Sequence, residues 1–181
     1  PFEGHAHAPA PDEVRGAALN GQELYALTER LFPIHRSITG DGVRETLRII
    51  GEFVPLDTHE VPTGTPAFDW EVPREWTIRD AYIKDMKGRK LVDIRDNNLH
   101  VVGYSTPVRA TLTLQDLKQH LHSLPDRPDS IPYLNSYWKE YWGFCMAHNA
   151  MLALAEETYD VCIDSTLADG SLTYGEYLIP G

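Results

Sequence analysis

Near Pro55 the apolar residues of this chain change their spacing, and that change constrains the fold more than any other feature of the sequence. Before it they recur every three or four positions. Leu24, Leu27 and Leu31 fall on one helical face, and Val43, Leu47, Ile50 and Val54 on another. Asn20 followed by Glu23 has the form of a capping box, and Pro33 closes the first helix near Phe32. The second helix opens at Asp41 and stops at Pro55, because proline lacks the N–H and crowds the preceding turn. After Pro55 the spacing becomes two. Strands are expected over 56–61, 76–83, 90–94, 99–104 and 108–113, with Lys87-Gly88 placed as a hairpin turn. Prolines 62, 66 and 73 make 62–73 an irregular loop.

Beyond residue 113 the signals are mixed. Thr113 can cap a helix over 114–123 carrying Leu114, Leu117 and Leu121, and a proline-rich loop follows to Pro132. Residues 137–154 are aromatic and then Ala/Leu-rich, so helix and strand compete, with helix ahead on propensity. Two final strands are expected over 159–166 and 172–179. Asp169-Gly170 would join them as an antiparallel hairpin, glycine supplying the positive φ. Residues 1–19, rich in Ala, Pro and Gly, read as a linker or mobile arm. The class implied is mixed α+β.

Charge and cysteines narrow the function. The net charge is -11, which disfavours nucleic acid and anionic membrane as partners, since both select basic surfaces. No apolar run approaches the roughly 20 residues of a membrane helix, and no signal peptide is visible. Cys145 and Cys162 do not make a disulfide framework, so a reduced, cytoplasmic setting is expected.

Few residue groups point to chemistry. His5 and His7 could clasp a stray metal, but they lie in the expected arm. His120 and His122 are two apart, whereas a helical metal pair prefers four, so surface histidines are the simpler reading. Cys145 and His148 would share a helical face as nucleophile and base; a buried cysteine among Trp142, Phe144 and Met146 is the commoner arrangement. Arg36-Ser37-Ile38-Thr39-Gly40 offers a guanidinium and two hydroxyls in a loop before a helix. Arg36 could hold a substrate carboxylate bidentately, or anchor its own chain. Phe68-Asp69-Trp70, Trp76, Tyr82, Trp138 and Trp142 could line a cleft that stacks on sugar or peptide groups, or fill a small core. The candidate substrate-binding residues are Arg36, Ser37, Thr39, Asp69, Trp70, Tyr82 and Trp142, with the Arg36 loop expected to face a cleft near Asp69-Trp70 and Tyr82. No catalytic residue and no metal ligand is assigned.

From Leu31 onward several long words occur together: Arg36–Gly40, Phe68-Asp69-Trp70, Arg79-Asp80-Ala81-Tyr82-Ile83, Asn98-Leu99-His100-Val101-Val102-Gly103-Tyr104, Trp142-Gly143-Phe144-Cys145, and Ile163-Asp164-Ser165 with Gly170-Ser171-Leu172-Thr173-Tyr174-Gly175-Glu176. By these words the chain resembles a family of bacterial zinc aminopeptidase-like proteins of unresolved function, some found near polysaccharide biosynthesis enzymes. The resemblance implies an α/β aminopeptidase-like domain interrupted early by a small β domain. Residues 20–55 would be its helical edge, 56–127 the inserted β-rich domain, 128–158 a connection and 159–181 its first β-hairpin. Leu178-Ile179-Pro180-Gly181 matches a word that in the family precedes the first zinc-binding histidine. The expectation is therefore an N-terminal portion of a hydrolase acting on a peptide or amide bond. Its partner would be the remaining catalytic region of the same polypeptide. Zinc is expected in that parent protein and none on this chain, which alone would be inactive. The alternative is a non-catalytic binding module for a glycan, peptide or protein partner.

Overall fold

The computed structural model describes residues 19–155 and 157–179. Residues 1–18 of the expected arm, with His5 and His7, and the terminal Pro180-Gly181 lie outside the described residues. Two helices come first, α1 (Gly21–Leu31) and α2 (Asp41–Ile50). The capping box forms: the Asn20 side chain accepts from the Gln22 and Glu23 amides, and Glu23 accepts from the Asn20 amide at 2.8 Å. The stripe on α1 meets little, and none of that helix's residues is buried. On α2 the buried residues are Thr46 and Ile49, so the covered face is rotated from the expected stripe, and Leu47 and Ile50 stay half-buried. Gly42 lets this face approach the preceding loop, since a β-carbon there would meet the His35 carbonyl at 2.1 Å.

The strands are β1 (Asp57–Pro62), β2 (Pro66–Ala67), β3 (Trp70–Glu71), β4 (Glu75–Asp85), β5 (Lys90–Asp93) and β6 (Val108–Thr113). Later come α3 (Leu114–Leu117), β7 (Leu121–His122), β8 (Phe144–Cys145), α4 (His148–Leu152), β9 (Thr158–Ala168) and β10 (Ser171–Glu176). The central sheet runs β5-β4-β9-β6, all antiparallel. It takes β4, β5 and β6 from the 56–127 segment and β9 from the last one. β1 pairs with β10 in a separate two-stranded ladder.

The last two strands therefore do not pair with each other, and this corrects the expected hairpin. Thr166 is opposite Thr77 and Ser171 is opposite Pro62. Gly170 does not take a positive φ. Instead the chain bends at Asp169 and passes from one ladder to the next. The Thr63 amide donates to the Gly170 carbonyl at 2.9 Å, and the Ser171 amide donates to Glu75 Oε2 at 3.0 Å. Those bonds satisfy the backbone that a hairpin ladder would have satisfied.

Three further expectations change. Residues 99–104 form no strand: Asn97 caps a 3₁₀ turn over Asn98–His100 with its side chain on the Leu99 amide, and Tyr104 sits at φ +66°. The helix from 114 ends early in a 3₁₀ turn, Lys118–His120, and then β7, which lies parallel to β8. Residues 137–154 are mostly irregular, holding only β8 and α4, because their aromatic side chains are spent on tertiary contacts that override helix propensity.

The core lies on one face of the central sheet. A bulge between Ile78 and Asp80 shifts the pleat by one residue, so Trp76 before it and Ala81 and Ile83 after it face the same way. Tyr159, Val161 and Ile163 face them from β9, and Phe144, Leu117 and Leu114 cover the layer. Fully burying one such side chain is worth about 1.5–3 kcal/mol.

Candidate functional site

The loop 35–40 is held by its own chain. Thr39 is 1% exposed. Its hydroxyl lies 2.6 Å from the Tyr104 hydroxyl and accepts from the Trp76 amide at 3.0 Å. Held in the interior by these two partners, Thr39 positions the loop and does not line the cleft beside it, contrary to the sequence expectation. Ser37 Oγ donates to the Thr39 carbonyl at 3.0 Å. Arg36 is exposed and donates from Nη1 to the Leu31 carbonyl at 2.7 Å. A cation on the last carbonyls of α1 offsets the negative end of the helix dipole. So Arg36 anchors its own chain, through a carbonyl rather than a carboxylate.

The remaining edge of Arg36 faces a cleft of about 440 Å³, which it lines with Ser37, Asn98, Tyr133, Asn135 and Tyr137. Asp69, Trp70, Tyr82 and Trp142 do not line it. Under the loop lies His35, edge-on to Trp76 at 5.3 Å between ring centres, with both ring nitrogens buried and unpaired. Burial pulls its pKa down to about 4; the nearby Asn98 backbone opposes this without reaching hydrogen-bond geometry. The imidazole is neutral at pH 7.

The aromatic set divides by place. Trp76 and Tyr104 stack in the interior at 5.6 Å, and the Trp76 indole N–H donates to the Ser105 carbonyl at 2.9 Å. Tyr82 sits on the outer face of the sheet, with the Lys84 and Lys90 ammonium groups 4.1 and 5.0 Å from its ring centre. Burial, then its neighbour Cys162, pushes its phenol up. Asp69 is exposed. Trp70 meets Trp138 edge-on at 5.8 Å. Trp142 lies flat on His120, 3.6 Å between ring centres and 9° between planes. Trp142 and His120 line a second cleft, of about 580 Å³, with Arg74, Thr106, Glu140 and Tyr141.

The other candidate groups pair differently from the sequence expectation. Cys145 is fully buried, and burial pushes its thiol up to about 12, so it is no nucleophile at neutral pH. His148 faces Ser123, 2.8 Å from Nδ1 to Oγ, rather than Cys145. His122 Nε2 lies 2.8 Å from the Tyr141 hydroxyl, and burial followed by the nearby His120 lowers its pKa. Among the described residues, no three His, Cys, Asp or Glu side chains come together as a metal site. Sequence reasoning missed Arg74, Asn135 and Glu140 as cleft residues. They sit singly in loops, and no spacing marks them.

The chain is similar to proteins from Clostridium acetobutylicum. One carries a name describing a polysaccharide biosynthesis protein with an aminopeptidase-like domain; it is 54% identical over 168 residues, which is 93% of this chain and 39% of the relative. The other is a crystal structure at 2.37 Å named for a peptidase. It superposes with a TM-score of 0.83 at 56% identity, covering 87% of this chain and 37% of that one. The chain thus spans well under half the length of both. A family model described as a domain of unknown function matches residues 75–166. That stretch begins with β4, takes in β5 and β6, and ends within β9, so it reaches every strand of the central sheet. It is about half of the chain, and the chain belongs to this family, DUF2172.

Proposed function

We propose that this chain is the N-terminal portion of a zinc-dependent aminopeptidase-like hydrolase that acts on a peptide or amide bond, with the metal site in the rest of the parent polypeptide. The observation that carries the reading is the 54% identity, over nearly the whole chain, to a longer protein named for an aminopeptidase-like domain. The exposed side of α1 supports it. Leu24, Tyr25 and Phe32 lie open there, as they would on a surface that another part of the parent covers. The proposal places the parent in the cytoplasm, with no nucleic-acid or membrane partner. Among the described residues, no helix is long and apolar enough to cross a membrane.

The described residues do not fit a zinc ion, because no three His, Cys, Asp or Glu side chains among them come together. What this chain contributes in the proposal is a wall. The cleft of Arg36, Asn98 and Asn135 offers donors that can orient a substrate carbonyl or carboxylate beside the parent's own site.

The test compares the full-length parent with the 181-residue chain on leucine p-nitroanilide, each washed with chelator and then resupplied with zinc. Zinc-dependent release of nitroaniline by the parent and none by the chain is expected. A parent that stays inactive with zinc on a series of aminoacyl anilides, or a chain active alone, overturns the reading.

A further inference from the structure

The face built by residues 133–142 shares its first cleft, that of Arg36 and Asn135, with the hydrolase reading; the part around Trp138 and Trp142 has no role there, and the inference drawn from it stands without that reading. Three clefts follow one another along this irregular segment. The first is the one lined by Arg36 and Tyr137. The second, of about 160 Å³, shares Tyr137 and adds Trp138 and Lys139. The third, lined by His120 and Trp142, shares Arg74 and Glu140 with the second. The shared walls make them one row.

Trp138 stands in the middle of that row and is 65% exposed. It is nonetheless fixed. Its indole N–H donates to the Glu71 carbonyl at 3.1 Å. Trp70 and Tyr137 meet it edge-on at 5.8 and 5.4 Å, with interplanar angles of 74° and 65°. An indole held at its polar end and its edges, yet open over most of its surface, is an immobilised stacking platform. The cost of ordering it has already been met before any ligand arrives.

Around it stand both donors and acceptors. Arg74 and Glu140 pair at 3.3 Å where the second and third clefts meet, and both side chains are solvent-exposed. Lys139 adds an ammonium group. His120 Nδ1 lies 2.9 Å from the Trp142 carbonyl, which can only accept, so Nδ1 carries the proton. Nε2 is then left as an acceptor on a cleft wall. Sugar hydroxyls donate and accept together, and the C–H face of a sugar ring is apolar, so a saccharide matches this mixture. A polyanion matches less well, because the chain carries a net charge of -11 and the cations of the row, Arg36, Arg74 and Lys139, are few and one is paired with Glu140. Strand addition by a peptide requires a free sheet edge, and this face is loop.

We propose that the row of clefts along 133–142 binds an uncharged oligosaccharide, stacked on Trp138 and hydrogen-bonded by Arg74, Glu140 and His120. The 181-residue chain is titrated with chitotetraose and with cellotetraose to about 10 mM, following tryptophan emission and calorimetry. Saturable binding of either sugar is expected, and the preferred one shows whether acetamido groups are read. Trp138→Ala should weaken binding at least tenfold, about 1.4 kcal/mol. Arg74→Ala is the second variant, since its exposed ion pair contributes little to folding, and it too should weaken binding. The proposal is overturned if neither sugar binds, if both variants bind as the unaltered chain does, or if tetra-alanine binds with the same affinity and the same loss on Trp138→Ala.

Discussion

His35 is a titratable group held where neither ring nitrogen reaches water or a partner, and it gives the chain a pH dependence of predictable sign. Its pKa is about 4 in the folded chain and 6.5 when free. Between those values the unfolded chain takes up a proton that the folded chain does not. The stability due to a neutral His35 is therefore complete above pH 6.5 and is lost as pH falls towards 4, by up to about 3 kcal/mol. His122, also lowered by burial, adds in the same direction. Urea unfolding at pH 7 and pH 4.5 should show the loss, and His35→Leu should remove most of the difference. An unchanged difference in His35→Leu would show that the dependence arises elsewhere. At the same scale, Arg36 and Thr39 show why a residue type does not name a role. A guanidinium and a hydroxyl in a loop suit a ligand, but here one caps α1 and the other joins Tyr104 to Trp76.

At the scale of elements, the tight passage from the 35–40 loop into α2 depends on glycine. Gly40 has φ +83° and ψ -176°, a conformation open to glycine alone, and a β-carbon on it would lie 2.3 Å from the Trp76 carbonyl oxygen. Gly64 has nearly the same φ, +80°, and open space around it. The two differ in steric contact and in setting, since Gly40 also has an extended ψ whereas Gly64 is the third residue of a turn closed by the Thr65 amide on the Pro62 carbonyl at 3.1 Å. Gly64→Ala should cost about 1 kcal/mol, and Gly40→Ala about 3 kcal/mol or more, since the Trp76 backbone must also move. In thermal unfolding the second change should lower Tm by about 6–12 °C. Equal losses at both sites would mean that the loop and β4 can separate freely. The pleat of β4 is set at the same scale: its bulge turns Trp76 to the face that Ala81 and Ile83 occupy, and one layer of core results.

For the whole molecule, β9 is the strand on which the rest depends. It pairs with β4 on one side and β6 on the other, and Tyr159, Val161 and Ile163 are at most 2% exposed. A chain ending at Leu154 would leave β4 and β6 with unpaired inner edges and open one side of the core. It should show no cooperative unfolding transition and poorly dispersed amide resonances. A fragment of 56–127 should fail likewise. Cooperative folding of either would mean that the early strands can close a sheet without β9. The family match from β4 into β9 fits that dependence, since it takes in part or all of every strand of the sheet and nothing of α1 or α2.

The sequence by itself determined the class and the local signals. The capping box at Asn20 rests on interactions within a few residues, and β4, β5 and β6 carry the two-residue alternation that a sequence displays directly. The second helix ends at Ile50, before the expected stop at Pro55, and β4 and β6 find their ladder partner only in the distant β9. The sequence also displayed the resemblance to aminopeptidase-like proteins, because long shared words survive without knowledge of contacts. Tertiary structure alone decided the pairing of β9 and β10 with distant strands, since a strand carries no mark of its partner and the bonds of Thr63 and Glu75 to Gly170 and Ser171 come from far along the chain. It likewise decided the irregular course of 137–154, where stacking of Trp142 on His120 and of Trp138 against Trp70 outweighs helix propensity. The gathering of Arg74, Trp138, Glu140 and His120 along one row of clefts was illegible for the same reason. Their sequence neighbours say nothing of the loops that bring them together, and burial and contact are properties of the folded chain.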